Sequence, residues 1–282
     1  MNQKLLALYG LKWNPFAPAV PAAALHAPAR LTSFCWRVQQ LAEEGGFALV
    51  SGYAPGAGKS TTLRILAEYL AAQRDLTVGV ITRPQASIAD FYREMGDLFG
   101  VELRPHNRWG GAKVLRQRWQ TYIDSSLCRP VLLIDEAQEM RSAVLAELRL
   151  LASAELDSHI LLTIVLAGDA RLSERLRTDE FAPLASRMRV RLTLERASPQ
   201  DLQACLRHAI QQAGVPTLMT KELINTLCDH AQGNLRSLMI MADELLAAAV
   251  QREARQIDEK LFFEVCTAAT PAETKTPSSR RR

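Results

Sequence analysis

Hydrophobic positions in the first two thirds of the chain form two alternating kinds of pattern. Short, almost continuously apolar runs predict buried strands, and apolar residues that recur every three or four positions predict amphipathic helices. The predicted strands are 47–50, 76–82, 130–135, 160–167 and 189–194, and the clearest helices between them are 30–44, 61–72 and 88–99. This alternation favours a parallel sheet covered by helices, with the evenly alternating 189–194 as a half-exposed edge strand.

Beyond Glu195 the pattern predicts helices only. Ser198 and Pro199 give one helix a capped start with proline at its first position, and Gly214 ends it. Further helices are predicted at 220–233, 235–253 and 257–266. The expected organisation is an extended N-terminal segment at 1–29, an α/β domain at 30–195, a small all-α domain at 196–267 and a disordered basic tail at 268–282.

Composition excludes several classes of protein. A chain of 282 residues with 48% hydrophobic residues can bury a sizeable core. The sequence has neither a membrane-length apolar run nor a secretory leader pattern, so we expect a cytoplasmic protein with no membrane partner. The five cysteines are scattered singly, which argues against a zinc site or a disulfide framework. A net charge of +4 is too small to indicate nucleic-acid binding by itself.

A glycine-rich loop follows the first predicted strand and leads into a helix. Its glycines let backbone N–H groups turn towards phosphate oxygens, Lys59 can reach the β/γ-phosphates, and the Ser60 hydroxyl can bind Mg²⁺. Five residues separate Gly52 from Gly58 where the strict pattern has four, and Tyr53 takes the expected glycine position. A glycine turn that merely precedes a lysine is the alternative. The predicted nucleotide contacts are Gly52, Pro55, Gly56, Ala57, Gly58, Lys59, Ser60 and Thr61.

The second half of the predicted site lies at the end of the strand 130–135. Asp135 follows a buried apolar strand, where its carboxylate can bind Mg²⁺ or the water around it. Glu136 is then placed to polarise an attacking water as general base. Such a pair can also be an ordinary strand-ending acid pair. Together with the upstream loop, it predicts an ATPase with ATP and Mg²⁺ as cofactors.

A basic segment from Arg104 to Arg118 suggests a contact surface for DNA. Helical spacing puts Lys113, Arg116 and Gln120 on one face and Leu115, Trp119 and Tyr122 on another. The basic face could lie along phosphates while the apolar face packs on the sheet, or the helix could simply be solvated. The candidate contacts are Arg104, Arg108, Lys113 and Arg116.

The order of short motifs is similar to that of the ExeA/GspA-type branch of AAA+ ATPases, which includes transposition helpers of the TniB/TnsC type. The resemblance runs from about Gly10 to Val265 and is densest from Pro130 to Arg189. It rests on GLxxNPF, the phosphate loop, LLIDEAQ, VLAGD, LASR and GNLR, in that order. It implies a P-loop NTPase fold, with a five-stranded parallel sheet between helices followed by a small all-α lid, and a site completed by a neighbouring subunit.

The resemblance also implies roles for three further residues. Asp169 falls at a polar sensor position where relatives usually have an amide; a loop cap is the alternative role for this acid. Arg187 matches an arginine finger that reaches the next subunit's site, although it could be a solvated arginine like its neighbours. Arg236 falls at the second sensor, at a helix start where a cation calls for a nearby anion such as phosphate.

The resulting prediction is an ATP-dependent regulator of transposition that forms a ring or helical filament. It would mark double-stranded DNA and recruit a transposase, with hydrolysis controlling assembly. One alternative is a secretion-type ATPase that assists a cell-envelope complex, although those relatives look longer, with a membrane span and a wall-binding region. Another is a nucleotide-gated scaffold with little turnover, which Tyr53 and Asp169 would favour.

Overall fold

The computed structural model describes residues 2–52, 54–103, 108–154, 159–254 and 256–269. Their contacts divide the chain into two units. The α/β unit comprises Pro21–Ala197 with Asn234–Arg236, and the helical unit comprises Met1–Val20, Ser198–Gly233 and the residues from Ser237 onward.

The described residues contain seven strands, five of which form the parallel sheet of the α/β unit in the order β2-β3-β6-β1-β7. The sheet confirms the predicted five-stranded parallel core, with the alternating β7 at one edge. The strands are β1 (Gly46–Gly52), β2 (Leu76–Ile81), β3 (Arg129–Ile134), β4 (Ser153–Ala154), β5 (His159–Ile160), β6 (Thr163–Gly168) and β7 (Met188–Leu194).

Helices cover the sheet and make up most of the helical unit. They are α1 (Asn2–Tyr9), α2 (Ala29–Glu44), α3 (Lys59–Ala71), α4 (Ile88–Phe99), α5 (Arg108–Ser126), α6 (Ser142–Ala152), α7 (Ala170–Arg175), α8 (Ala182–Ala185), α9 (Pro199–Gln212), α10 (Lys221–Ala231), α11 (Leu235–Gln251) and α12 (Glu259–Ala269).

Alternate residues of the central strands enter two different apolar cores. Phe47 and Leu49 of β1 face the core that includes residues of α4, α5 and α6. Ala48 and Val50 face the core that includes α2 and α3. Because successive strand side chains point to opposite faces, a strand covered on both sides must be apolar throughout, which is the pattern of the sequence. The sheet is therefore sandwiched between helices, as predicted.

A short antiparallel hairpin replaces part of the predicted strand 160–167. Ile160 belongs to β5, which pairs with β4, and β6 begins only at Thr163. The Leu161 amide donates to the Ala152 carbonyl at 2.8 Å, so this stretch bonds back to the end of α6 instead of extending the sheet. An apolar run does not show where strand pairing starts, because that depends on the neighbouring segment.

The helical unit confirms the predicted capping of α9. The Ser198 hydroxyl accepts from the Asp201 amide, the Asp201 carboxylate accepts from the Ser198 amide, and Pro199 takes the first turn. The prediction of an extended segment for 1–29 is wrong at its start, because Asn2–Tyr9 form α1. Residues with good helix propensity fill that stretch, and the Tyr9 hydroxyl donates to the Ala254 carbonyl at 2.7 Å.

A helix must be long and apolar to cross a membrane. Among the residues that the structure describes, no helix is long and apolar enough to span a bilayer.

Candidate nucleotide-binding site

The predicted phosphate loop connects β1 to α3 at the carboxyl edge of the sheet. β1 is buried throughout and α3 begins at Lys59, directly after Gly58. Gly56 and Gly58 have φ of +79° and +93°, which L-residues other than glycine rarely adopt. This backbone turns the chain sharply ahead of the α3 N-terminus, whose first N–H groups and positive dipole end suit phosphate. Tyr53, the residue that departs from the strict pattern, lies outside the described residues.

Asn234, which directly precedes α11, contacts the phosphate loop. Its Nδ2 donates to the Pro55 carbonyl at 3.2 Å, and its Oδ1 accepts from the Arg236 amide at 3.0 Å. A Cβ on Gly56 would lie 2.2 Å from that Oδ1 and 2.9 Å from the Arg236 Cβ. The side chain of Arg236 therefore begins beside the phosphate loop. Sequence reasoning missed Asn234, although an asparagine directly before a helix is a recognised capping signal.

The acid pair follows β3 at the same sheet edge. The Asp135 amide donates to the Ile81 carbonyl at 2.9 Å, and the Asp135 carboxylate accepts from the Glu136 amide at 2.9 Å. Only β6 separates β3 from β1, so Asp135 and the end of β1 are about 10 Å apart across the sheet. The structure thus brings Asp135 and Glu136 to the edge that carries Lys59 and Ser60.

Asp169 lies at the end of β6, between those two strands, and caps α7. Its carboxylate accepts from the Arg171 amide and side chain, both at 2.9 Å. Partial burial raises the pKa of Asp169, but the hydrogen bonds and charge of Arg171 and the charge of Lys59 outweigh this and hold the pKa below its ordinary value. The acid is therefore ionised and linked to a cation. This contact matches the loop-cap role more directly than the sensor role.

Gln138 connects Glu136 to the end of β6. Its Nε2 donates to a Glu136 carboxylate oxygen, and its Oε1 accepts from the Asp169 amide at 3.2 Å. The residue is 7% exposed, which is unusual for an amide side chain unless it is hydrogen-bonded. Gln138 was not among the predicted site residues, although it ends the LLIDEAQ motif.

Arg187 lies at the amino ends of the parallel strands, whereas the phosphate loop lies at their carboxyl ends. It directly precedes β7, whose first residue, Met188, pairs with Phe47 near the start of β1. β1 is seven residues long, from Gly46 to Gly52, which is a distance of about 20 Å. Arg187 donates to the Pro183 carbonyl at 2.5 Å. At this distance its side chain does not reach the phosphate loop of its own chain.

The residues of the helix with the predicted DNA face differ in how exposed they are. Leu115 and Trp119 are fully buried, which confirms the apolar face of α5, and Lys113 is exposed. Arg116 is half-buried, and its guanidinium donates to the Ala112 and Leu150 carbonyls, both at 3.3 Å. Arg104 lies outside the described residues, and the side chain of Arg108 is not described. Lys113 is thus the candidate with an exposed charge.

The residues at the carboxyl edge match the chemistry of a magnesium nucleotide. The glycines let backbone N–H groups face phosphate, Lys59 supplies a cation, and the Ser60 hydroxyl and Asp135 carboxylate supply the oxygen ligands that Mg²⁺ prefers. These residues would hold the phosphates and the metal. When bound, the metal ion would neutralise charge on the phosphate oxygens.

Comparisons with known proteins show what this chain is similar to. Residues 41–176 match the family model described as an AAA domain. The chain is 32% identical over 221 residues to general secretion pathway protein A of Aeromonas hydrophila, covering 77% of this chain and 39% of that protein. It is 28% identical over 154 residues to the ATP-dependent target DNA activator B of Escherichia phage Mu, covering 53% of this chain and 45% of that protein. The chain spans less than half the length of these relatives.

A solved structure shares the fold. The Aeropyrum pernix ORC2 protein in its ADP form matches with a TM-score of 0.70 at 15% identity, over 90% of this chain and 71% of that chain. This likeness confirms the predicted P-loop NTPase fold, in which helices follow a parallel sheet.

Proposed function

This chain is an AAA+ ATPase of the branch that includes general secretion pathway protein A, and we propose that it uses ATP as a switch for assembly on DNA. In the bound state it would form a ring or helical filament on duplex DNA and recruit a transposase. Hydrolysis would return it to the unassembled state. A nucleotide can act as such a switch when the assembled form binds it more tightly than the free subunit does.

The observation that carries the ATPase part is the division of the site between two sheet edges. Lys59, Asp135 and Glu136 lie at the carboxyl edge, and Arg187 lies about 20 Å away at the other. In this proposal Lys59, Ser60 and Asp135 hold the nucleotide with Mg²⁺. Glu136 orients the attacking water, and Arg187 of a neighbouring subunit stabilises the transition state, a contribution of about 10³- to 10⁵-fold in rate.

The DNA part is supported by similarity to the phage Mu protein, named as an ATP-dependent target DNA activator. The exposed Lys113 on α5 supplies a cation on the outer surface of a helix whose inner face, with Leu115 and Trp119, packs in the core. A lysine in this position can contact backbone phosphates without reading sequence. The transposase is proposed as the partner because the order of short motifs resembles that of the transposition helpers.

Assistance to a cell-envelope complex is the second candidate function. The alignment with general secretion pathway protein A is longer, and its identity of 32% exceeds the 28% found with the phage protein. The nucleotide site would be the same in both cases. Only the partner that the assembled form holds would differ.

Binding to labelled duplex DNA tests the choice between these functions. The purified protein would be measured without nucleotide, with ADP, with ATP and with a non-hydrolysable ATP analogue, across a range of salt concentrations. We expect cooperative binding that needs ATP or its analogue and weakens with salt. Lys113→Ala should reduce the salt slope by about one, because one phosphate contact is lost.

Arg37→Ala is the matched control for Lys113→Ala. Arg37 is exposed on α2, whose buried residues pack on the other face of the sheet, so its removal should leave the slope unchanged. An unchanged slope for Lys113→Ala would move the DNA surface elsewhere. No DNA binding in any nucleotide state, by protein shown to bind ATP, would favour the envelope-assembly function.

A further inference from the structure

We propose that Gln138 is a positioning residue for ATP hydrolysis, which holds the Glu136 carboxylate in place by linking it to the end of β6. The inference rests on the proposed ATPase function. It assigns a part of the hydrolytic machinery to a side chain that would touch neither the nucleotide nor the attacking water.

The hydrogen bonds define the orientation of the Gln138 amide. The Asp169 backbone N–H can only donate, so the atom that accepts from it at 3.2 Å must be the amide oxygen. The amide nitrogen is then directed at Glu136, whose carboxylate oxygen accepts from it. Both ends of the amide are used, and neither bond could form if the group were flipped.

The surroundings leave Gln138 little freedom to move. Its backbone carbonyl accepts from the Arg175 guanidinium at 2.8 Å, and that guanidinium also donates to the Met140 carbonyl at 2.8 Å. A Cβ on Gly168 would lie 2.8 Å from the Gln138 Oε1, so the lack of a side chain there makes room for the amide. The side chain is also buried, at 7% exposure.

Glu136, by contrast, is exposed and needs an external support. An unrestrained glutamate at the surface samples many rotamers. It must be restricted to one of them before its carboxylate can orient water. The bond from Gln138 removes much of this freedom in advance. A second link joins the same segment to the end of β6, because Arg171 contacts Glu139 at 2.7 Å and Asp169 at 2.9 Å. Glu136 is therefore held relative to β6, the strand beside the phosphate-loop strand.

The Gln138→Glu variant tests the positioning of Glu136 while leaving the packing around residue 138 nearly unchanged. The new carboxylate has nearly the same shape and can still accept from the Asp169 amide, but it cannot donate to Glu136 and repels it. We expect kcat for ATP to fall by about 10- to 100-fold, while the dissociation constant for a non-hydrolysable ATP analogue stays within about twofold. Gln138→Leu, which loses both hydrogen bonds, should lower kcat at least as much and also lower the melting temperature.

Ala143→Glu is the charge-matched control. It adds one carboxylate at an exposed position in the first turn of α6, where an acid is tolerated, and should leave kcat unchanged. Wild-type kcat for Gln138→Glu would overturn the role of Gln138 and leave the ATPase function intact. A higher kcat for that variant would also overturn it, since the link would then restrain Glu136 unproductively. A wild-type protein that binds ATP but never hydrolyses it would overturn both proposals.

Discussion

Asp169 is ionised and linked to a cation at the end of β6. Arg171 contacts its carboxylate at 2.9 Å, and the charge of Lys59 also acts on it. At the sensor position implied by the resemblance, an unpaired acid would repel the terminal phosphate of ATP. Pairing with Arg171 reduces that repulsion and gives the acid a local role as the cap of α7. The same residue can therefore be tolerated at the site without being a sensor.

Replacing Asp169 by asparagine should change how stability depends on pH. Asparagine also caps helices, so the variant loses mainly the ion pair with Arg171, a partly exposed contact whose contribution to the free energy of unfolding is small. Because the folded-state pKa of Asp169 is lowered, that contribution is present above the ordinary carboxyl pKa of about 3.9. It is lost as the pH falls through the folded-state pKa. Urea unfolding at several pH values should show a gap between wild type and variant that closes under acid conditions.

Arg171→Gln provides the comparison for this prediction. Without the arginine, Asp169→Asn should have little further effect on stability at any pH, because the pair is already broken. A gap that widens in acid would contradict the assignment of the stabilising charge to Asp169.

At the scale of elements, the phosphate loop depends on a segment far away in the chain. Asn234 precedes α11 and donates to the Pro55 carbonyl across a separation of 179 residues. The close approach of this asparagine requires glycine at position 56, in addition to the requirement of a φ of +79°. The loop between β1 and α3 is therefore shaped by its own glycines and by the start of α11 together.

Gly56→Ala should disrupt the nucleotide site. The new Cβ would lie 2.2 Å from the Asn234 Oδ1, so the loop or the asparagine must move. We expect nucleotide affinity to fall by about 10- to 100-fold, measured by titration with a fluorescent ATP analogue. Asn234→Ala in the same chain should recover part of that loss, since it removes the atom in closest contact.

Gly100→Ala is the matched control for the glycine effect. Gly100 ends α4 with a φ of +64°, but a Cβ there would meet nothing within 4 Å. It should cost about 1–2 kcal/mol of stability for the backbone conformation alone and leave nucleotide affinity unchanged. Equal nucleotide affinity for Gly56→Ala and Gly100→Ala would contradict the steric account of the Gly56 site.

At the scale of the whole molecule, the α/β unit places the phosphate loop and Arg187 at opposite ends of its parallel strands. The phosphate loop lies beyond the end of β1, and Arg187 lies beside the residue that pairs with Phe47 near its start. One subunit therefore cannot bring both to the same nucleotide. This arrangement suits a heterologous assembly, in which each subunit presents its arginine edge to the loop edge of the next.

Mixing two inactive variants tests this arrangement. Lys59→Ala removes the loop cation and Arg187→Ala removes the arginine, so each protein alone should hydrolyse ATP at least about 10³-fold more slowly than wild type. In an equal mixture, a complete site forms where an Arg187→Ala subunit, which keeps Lys59, lies next to a Lys59→Ala subunit that presents its Arg187 to that loop. Random assembly gives such a junction about a quarter of the time. We expect ATPase activity to return to about that fraction, measured by phosphate release.

The absence of any recovery in mixed oligomers would contradict a shared site. Each variant mixed with wild type provides the control, because it shows that the mutant subunits enter the same assemblies.

The sequence by itself determined the elements and the local chemistry of this protein. The apolar strands, the capping box at Ser198, the phosphate loop with Lys59 and the acid pair after β3 are all encoded within a few neighbouring residues. Such signals depend on backbone preference and side-chain periodicity, which need no knowledge of distant segments. The parallel orientation of the strands likewise follows from the alternation of strands and helices along the chain.

Only the tertiary structure decided which separated side chains meet. Gln138 contacts Asp169 across 31 residues, Arg116 donates to Leu150 across 34, and Asn234 reaches Pro55 across 179. The start of β6 at Thr163 and the hairpin before it also depended on pairing partners. These contacts arise from strand order and packing, and a polar residue carries no local mark of the partner that the fold brings beside it. The motifs therefore predicted where a nucleotide would bind, and the fold determined which distant side chains contact Glu136 and the phosphate loop.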